Sequence, residues 1–373
     1  MNSSFPIYDG IQTCLTGNIV FAVCRQPGEA VRLIVQKEAH SANRFILNEV
    51  ITQKGFLIHP FAENGQKLQF IKADVYCEGS ISSSEFEMLQ NIKGVESADK
   101  TNYPIETGKE EYLKLLDETI KVNKSGKYHK IVISRAKLVE GRFKEFLADI
   151  FIDLCEAYAN AFVFLFNTGD EIWMGATPEP FLISNNCQYK TSAIAGTKRF
   201  CERNLNLGVW EDKEKHEQQY VSDYIKRVLL ENEILNQSEE GPYLKRAGNL
   251  IHLRTDFQFE KKFVNNSLAS FIADLHPTPA VCGIPKSIAL QYIKKNERYD
   301  REYYAGFLGV TGINDKLSLF VNLRSMKVFQ SKVALFVGGG ITSESTSEAE
   351  WNETEIKAET LLSILKKYGA AEN

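Results

Sequence analysis

Two short segments of the chain repeat glutamates three residues apart. KEKHEQQYV sets Glu214 and Glu217 at i and i+3, and SEAEWNETEIK does the same with Glu350 and Glu353, with Lys357 one turn beyond. Residues at that spacing share one face of a helix, so two helices would each present a carboxylate pair near their start. Such a set suits a hard cation. The six histidines show no HxxxH or HExxH pattern and the seven cysteines no CxxC, so any metal here is held by oxygen, which points to Mg²⁺ rather than zinc. Mg²⁺ keeps several waters and needs only one or two carboxylates directly, the others acting through water. Gly338-Gly339-Gly340 lies between a strand pattern and the second pair. Glycines there let a ligand approach the backbone and expose N–H groups to an anion. GGGITS lacks the GxGxxG order of a dinucleotide turn. A plainer reading stays open: acidic first turns are favoured by the helix dipole, and Ser347-x-x-Glu350 has the form of a capping box.

The elements that must hold these groups are legible as patterns. Helical periodicity runs from about Lys213 to Glu231, with Tyr220, Val221, Tyr224, Ile225, Val228 and Leu229 on one face, and from about Ser347 to Tyr368. Further helices are expected after a capping box at Thr107-x-x-Glu110, near Phe143–Tyr158 and over Pro285–Asn296. Strand patterns cover Lys130–Leu138, Ala161–Asn167, Glu171–Gly175, Pro180–Ser184 and Gln188–Ile194. Leu317–Val328 and Lys332–Val337 read as one hairpin turning near Gln330–Ser331. Upstream, Asn18–Arg25, Ala30–Lys37 and Gly55–Phe61 look like antiparallel sheet, and the polar stretch Glu78–Thr107 looks like a junction. Long strands mixed with helices, without a βαβ rhythm, predict an α+β fold with large antiparallel sheets. Residues 1–106 are expected to be a strand-rich N-terminal part of that fold, and residues 107–373 the region that carries the chemistry.

Composition narrows the classes. The 373 residues carry 44 Lys and Arg against 48 Asp and Glu, a net charge of −4, whereas a polyanion binder usually shows a basic excess. The longest apolar runs, Ile19–Cys24 and Ala161–Phe166, fall far short of the ~18–20 residues of a membrane span. The N-terminus MNSSFPIYDG has neither a basic nor an apolar leader region. Scattered cysteines are expected to be free thiols in a reducing cytoplasm.

Ten segments, taken in order, resemble the chorismate-utilising enzymes, the family of isochorismate, salicylate, anthranilate and aminodeoxychorismate synthases. They are KIVISR (130–135), MGATPEPFL (174–182), SAIAGTKR (192–199), KEKHEQQYV (213–221), HLRT (252–255), LHPTPAVCGIPK (275–286), EYYAGFLG (302–309), VNLRS (321–325), FVGGGIT (336–342) and EAEWNETEIK (348–357). The resemblance implies two packed antiparallel sheets with helices outside and a site in the cleft. It implies Mg²⁺ on Glu217 and Glu353, with Glu214 and Glu350 close by. It assigns Gly196, Thr197 and Lys357 to the ring carboxylate of chorismate. Tyr304, Arg324 and the Gly338, Gly339 and Gly340 amides go to the enolpyruvyl carboxylate, and His252 to the pocket near the ring.

Two features choose among the family's reactions. Members that add water resemble this chain in carrying a lysine at Lys130, and isochorismate-forming members read HPTPA, as His276–Ala280 does here. Glu179 matches the family's general acid. The implied activity is an isomerase: Lys130 takes a proton from water attacking C2 of chorismate, and Glu179 protonates the departing C4 hydroxyl. A lysine can do this only if its pKa falls, which burial favours and nearby carboxylates oppose. The nearest alternative is a salicylate synthase, which goes on to eliminate pyruvate; an ammonia-using synthase disagrees with both Lys130 and HPTPA. A non-catalytic carboxylate-binding module would need no acid–base pair. The resemblance further implies a small-molecule enzyme, monomeric and without an amidotransferase subunit, feeding menaquinone or siderophore synthesis. Gln218 departs from the family, which often has histidine after the first metal glutamate, and Asn322 stands where a small or apolar residue is common.

Overall fold

Alternation within the apolar runs decides the architecture. In Ala161–Phe166, Phe162, Phe164 and Phe166 face one way and join a core that includes Phe56, Phe181, Phe307 and Phe320. Val163 and Leu165 face the other way, into a second core with Ile7, Ile11, Leu147 and Phe151. Successive side chains of a strand point to opposite faces, so a strand with both faces covered reads as a continuous apolar run. Ile19–Cys24 divides in the same manner.

The computed structural model describes residues 4–38, 45–62, 67–96, 102–185, 187–247, 250–264 and 268–370. It is an α+β fold built on two antiparallel sheets, which among the described residues have eleven strands and eight. Their inner faces meet through aromatic rings, Phe162 stacking on Phe320 at 4.2 Å between centroids. Helices Ile7–Thr16 and Leu147–Ala157 cover the outer face of the larger sheet. The N-terminal residues complete both sheets: Phe21–Arg25 pairs with Phe162–Asn167, and Gly55–His59 pairs with Phe307–Ile313. Among the described residues no helix is long and apolar enough to cross a membrane. All seven cysteines are free.

Several local expectations are corrected. Leu317–Val328 is not one strand. Lys316–Val321 belongs to the smaller sheet and Ser325–Val328 to the larger, where it forms the expected hairpin with Lys332–Ile341. The chain crosses between sheets at Asn322–Arg324, and Arg324 takes a positive φ of 50°, a conformation uncommon outside glycine. Asn322 pins the crossing: its side-chain amide donates to the Tyr303 carbonyl at 2.8 Å, which accounts for a polar residue there. Thr107 does not cap a helix; Gly108 is the N-cap of Lys109–Lys124. Ser347 lies inside its helix behind Thr346 and donates to Asp117, so the Ser347–Glu350 box does not form. Part of the polar junction is ordered, since Ser82 and Glu85 form a capping box at the head of helix Ser83–Gln90; residues 97–101 lie outside the described residues.

Candidate active site

The site is assembled on two neighbouring strands. Lys130–Glu140 pairs antiparallel with Lys332–Ile341, with Ser134 opposite Gly338, Ile133 opposite Gly339 and Val132 opposite Gly340. Val132 N–H donates to the Cys282 carbonyl and Ser134 N–H to Glu297, both away from this pairing. In an antiparallel ladder the opposite residues then also turn their backbone groups outward. Gly338 and Gly340 therefore direct theirs to the far edge, where the Gly338 carbonyl accepts from Lys357 Nζ at 2.9 Å. The glycines, expected just after the strand, lie within it, and their missing side chains make the room. A Cβ on Gly340 would lie 2.5 Å from both Glu217 Oε1 and Lys130 Cε, and one on Gly339 3.0 Å from Glu350 Oε2.

Helices Asp212–Glu231 and Ser347–Leu365 bring Glu217, Glu350 and Glu353 to these glycines and Glu214 to Gly196, each glutamate beside a lysine. Lys130 Nζ lies 2.7 Å from Glu217, Lys357 2.5 Å from Glu353, Lys213 2.8 Å from Glu350 and Lys198 3.8 Å from Glu214. Burial pushes Glu353 upward, but Lys357 and Lys213 outweigh it and hold the carboxyl below its ordinary value. Glu350 is raised, by burial and then by the neighbouring Glu353 charge, against the pull of Lys213. Glu214 also does what a first-turn acid does, accepting the Glu211 N–H at 3.1 Å in a capping box. Gln218 does not turn to Glu217; it is buried and donates to Thr255 Oγ1 at 2.8 Å, bracing its helix on the smaller sheet.

Glu179 lines the same cavity. It is 7% exposed, and among the described residues its carboxyl has no hydrogen-bond or ion-pair partner. Burial pushes its pKa up to about 7, against the pull of Lys130, Lys357, Arg324 and Arg254. Arg324, fixed by the sheet crossing, donates to Thr360 Oγ1 at 3.2 Å. Tyr304 stacks on Phe336 at 5.5 Å. His252 is held down at about 3, first by burial and then by Arg324 and Lys357; its neutral ring and the Thr197 hydroxyl are hydrogen-bonded at 3.0 Å.

One cavity is lined by Lys130, Glu179, Thr197, Glu217, His252, Ala280, Tyr304, Arg324, Gly338, Gly339, Gly340, Glu353 and Lys357. Three expected residues are not on its wall. Gly196, at φ +68°, forms a bulge that lets the chain pass Glu214, where a Cβ would come within 3.0 Å; Glu214 and Glu350 sit behind. His276 packs rather than lines: Nε2 donates to the Pro60 and Phe61 carbonyls at 3.1 and 3.2 Å, amid His59, Phe181 and Phe307. Lys213 and the cavity residue Arg301 went unnoticed in the sequence. A cue for Arg301 was the opposite charge of Glu297 four residues earlier.

Among the described residues no three acidic, histidine or cysteine side chains are gathered closely enough to hold a metal. The donors nevertheless fit a hard divalent cation. They are carboxylates, the glycine edge leaves space beside them, and Mg²⁺ needs only one or two such ligands with water or substrate oxygens. The glycine edge predicts a separation of effects. Gly340→Ala meets only the ends of two flexible side chains and is expected to fold with nearly unchanged thermal stability, yet to lose more than about tenfold in turnover by displacing Lys130 and Glu217. Gly338→Ala meets the Ile133 carbonyl at 2.7 Å and is expected to destabilise the fold by about 1–3 kcal/mol. Thermal melts beside rates test both; a Gly340→Ala enzyme of full activity removes the edge from the site.

The architecture and this site define a member of one enzyme class. A family model described as chorismate binding enzyme matches residues 44–366, and the chain belongs to that family. It is 31% identical over 199 residues to the isochorismate synthase EntC of Escherichia coli K12, covering 52% of this chain and 51% of that protein. It is 27% identical over 273 residues to the isochorismate synthase MenF of the same organism, covering 71% and 62%. The chain thus spans about half the length of EntC in that match. Two solved structures share the fold. One is a putative 2,3-dihydroxybenzoate-specific isochorismate synthase from Bacillus anthracis, with TM-score 0.76, 22% identity and coverage of 96% and 99%. The other is the menaquinone-specific MenF from E. coli, with TM-score 0.77, 19% identity and coverage of 98% and 94%.

Proposed function

We propose that this chain is an isochorismate synthase, an isomerase that adds water at C2 of chorismate while the C4 hydroxyl leaves. The observation that carries this reading is the lining of one cavity by Lys130 and Glu179 together with Glu217 and Glu353. The matches to EntC and MenF agree with it. In the reaction the new C2–O bond forms, the two ring double bonds each move by one position, and the C4–O bond breaks. Lys130 accepts the proton of the attacking water. For that it must first give up its own proton, release Glu217 and turn to the ring. Glu179 is the acid: its raised pKa keeps a proton available near neutrality for the departing hydroxyl. Arg324 and Tyr304, with the outward Gly338 and Gly340 backbone, supply donors for the enolpyruvyl carboxylate. Thr197 and Lys357 flank the ring carboxylate, and neutral His252 orients the Thr197 hydroxyl. Mg²⁺ on Glu217 and Glu353, with Glu350 and Glu214 behind them, would neutralise and anchor the ring carboxylate.

The enzyme is read as a cytoplasmic monomer that needs no amidotransferase, since water is the nucleophile, and as a source of isochorismate for menaquinone or siderophore synthesis. Incubation with chorismate and Mg²⁺, followed by product analysis, tests the reading. Isochorismate is the expected product. Salicylate with pyruvate as the main products would make it a salicylate synthase, and an amino product with added ammonium would remove the role given to Lys130. Glu353→Gln is expected to weaken the Mg²⁺ requirement curve by at least about tenfold, with chorismate affinity falling alongside; an unchanged Mg²⁺ titration excludes Glu353 as a ligand.

A further inference from the structure

The Lys130 strand has an incomplete neighbour. On the side away from the glycine strand, Gly283–Ile284 pairs only with Ile131 and Lys130. Beyond that point the Val132 N–H still reaches the Cys282 carbonyl, but the Val132 carbonyl and the Ser134 N–H would be orphaned, and a buried orphan is costly. They are collected instead by side chains. Arg301 Nη2 donates to the Val132 carbonyl at 2.8 Å, and Nη1 donates to the Val281 carbonyl at 2.9 Å. Glu297 accepts both the N–H and the hydroxyl of Ser134 at 2.8 Å. The two side chains are joined by Arg301 Nε to Glu297 Oε2 at 2.8 Å and Nη2 to Oε1 at 2.5 Å, and each is 2% exposed.

We propose that Glu297 and Arg301 are positioning residues for this site: a buried ion pair that replaces a missing strand and sets the spacing between the Lys130 strand and the Ala280–Val281 wall. Resting on the proposed function, this deepens it. Lys130 and Val132 share one face of their strand, and Val132, Ala280, Val281 and Arg301 all line the cavity. The planar guanidinium fork is what lets one side chain hold two carbonyls and a carboxylate together. A lysine ammonium keeps the charge but not that geometry. The pair thus fixes how closely the amine of Lys130 can approach the Ala280–Val281 wall of the cavity. Misplacement by about 1 Å is enough to cost on the order of 100-fold in rate.

The test uses Arg301→Lys, which keeps the charge balance, and the double variant Glu297→Gln/Arg301→Met, which removes both charges and so leaves no unpaired ion if the first does not fold. Each is assayed for kcat and KM with chorismate and Mg²⁺, and for amide hydrogen exchange across residues 130–136. The expected result is a kcat lower by about 100-fold with KM changed by less than about threefold, and faster exchange at Ser134. A merely structural role would lower thermal stability without that split. Folded variants with kcat near the wild-type value overturn the proposal. If the wild-type enzyme leaves chorismate unchanged, the functional reading fails, and unchanged exchange at Ser134 then shows separately that the pair does not hold the strand.

Discussion

Glu179→Gln is expected to lower kcat by about 10²–10⁴-fold while chorismate binding stays near normal. The amide matches the protonated acid in size and neutrality and keeps a hydrogen-bond donor, but has no proton to give. The pH dependence follows from the environment of the group. Burial raises the carboxyl to about 7, more than Lys130, Lys357, Arg324 and Arg254 lower it. The acid works only when protonated, so wild-type kcat/KM should fall as pH rises through about 7, and the residual rate of the variant should lack that limb. Stability supplies an independent readout. A carboxyl with a raised pKa in the folded state binds its proton more tightly there than in the unfolded chain. Its contribution is therefore complete below the unfolded value and is lost as pH climbs through the folded one, by roughly 3 kcal/mol at the alkaline end. Glu179→Gln should remove that loss and be the more stable protein above neutrality. A variant that keeps both the rate and the alkaline limb takes Glu179 out of the acid role.

The elements were legible where burial and periodicity agree. Helix Asp212–Glu231 was expected over nearly the same residues because Val221, Tyr224, Ile225, Val228 and Leu229 repeat at the helical period and are all buried. What escaped was set by tertiary contacts. Asn322–Arg324 carries no turn residue other than Asn322, yet the chain changes sheets there because the Tyr303 carbonyl and the Ala305–Gly306 backbone hold Asn322. The caps at Thr107 and Ser347 were spaced correctly, but neighbouring residues took the position. In the site, the glutamate spacing pointed to two helices and placed Lys357 one turn from Glu353, whereas nothing local told which lysine the other three glutamates would meet. Lys213 reaches Glu350 across 137 residues. Arg301 shows the same limit: its partner Glu297 is four residues away, but the carbonyls it holds belong to two distant segments.

That pairing of lysines with glutamates shapes what Lys130→Ala should do, which is more than remove a base. The side chain of Lys130 is 1% exposed and lies against Glu217 at 2.7 Å, while the carboxylate is 15% exposed. Losing the amine removes the proton acceptor, and turnover is expected to fall by about 10²–10⁴-fold. It also removes the positive charge nearest one of the two carboxylates read as Mg²⁺ ligands. A cation no longer has to compete with an ammonium a few ångströms away, so Mg²⁺ titrated into the substrate-free variant should bind several-fold more tightly, by about one order of magnitude at most for a partly solvated pair. The two effects have opposite signs: slower chemistry with stronger metal binding. A lysine that merely filled space would give neither, and one that served only as the counter-ion of Glu217 would give the second without the first. The cavity left by the truncation offers a further discriminator, because a small primary amine can occupy it and restore part of the rate, whereas the same amine should do nothing for Glu179→Gln. Calorimetric Mg²⁺ titration beside single-turnover rates separates these outcomes. A Lys130→Ala enzyme that turns over at the wild-type rate removes Lys130 from the chemistry, whatever its metal affinity.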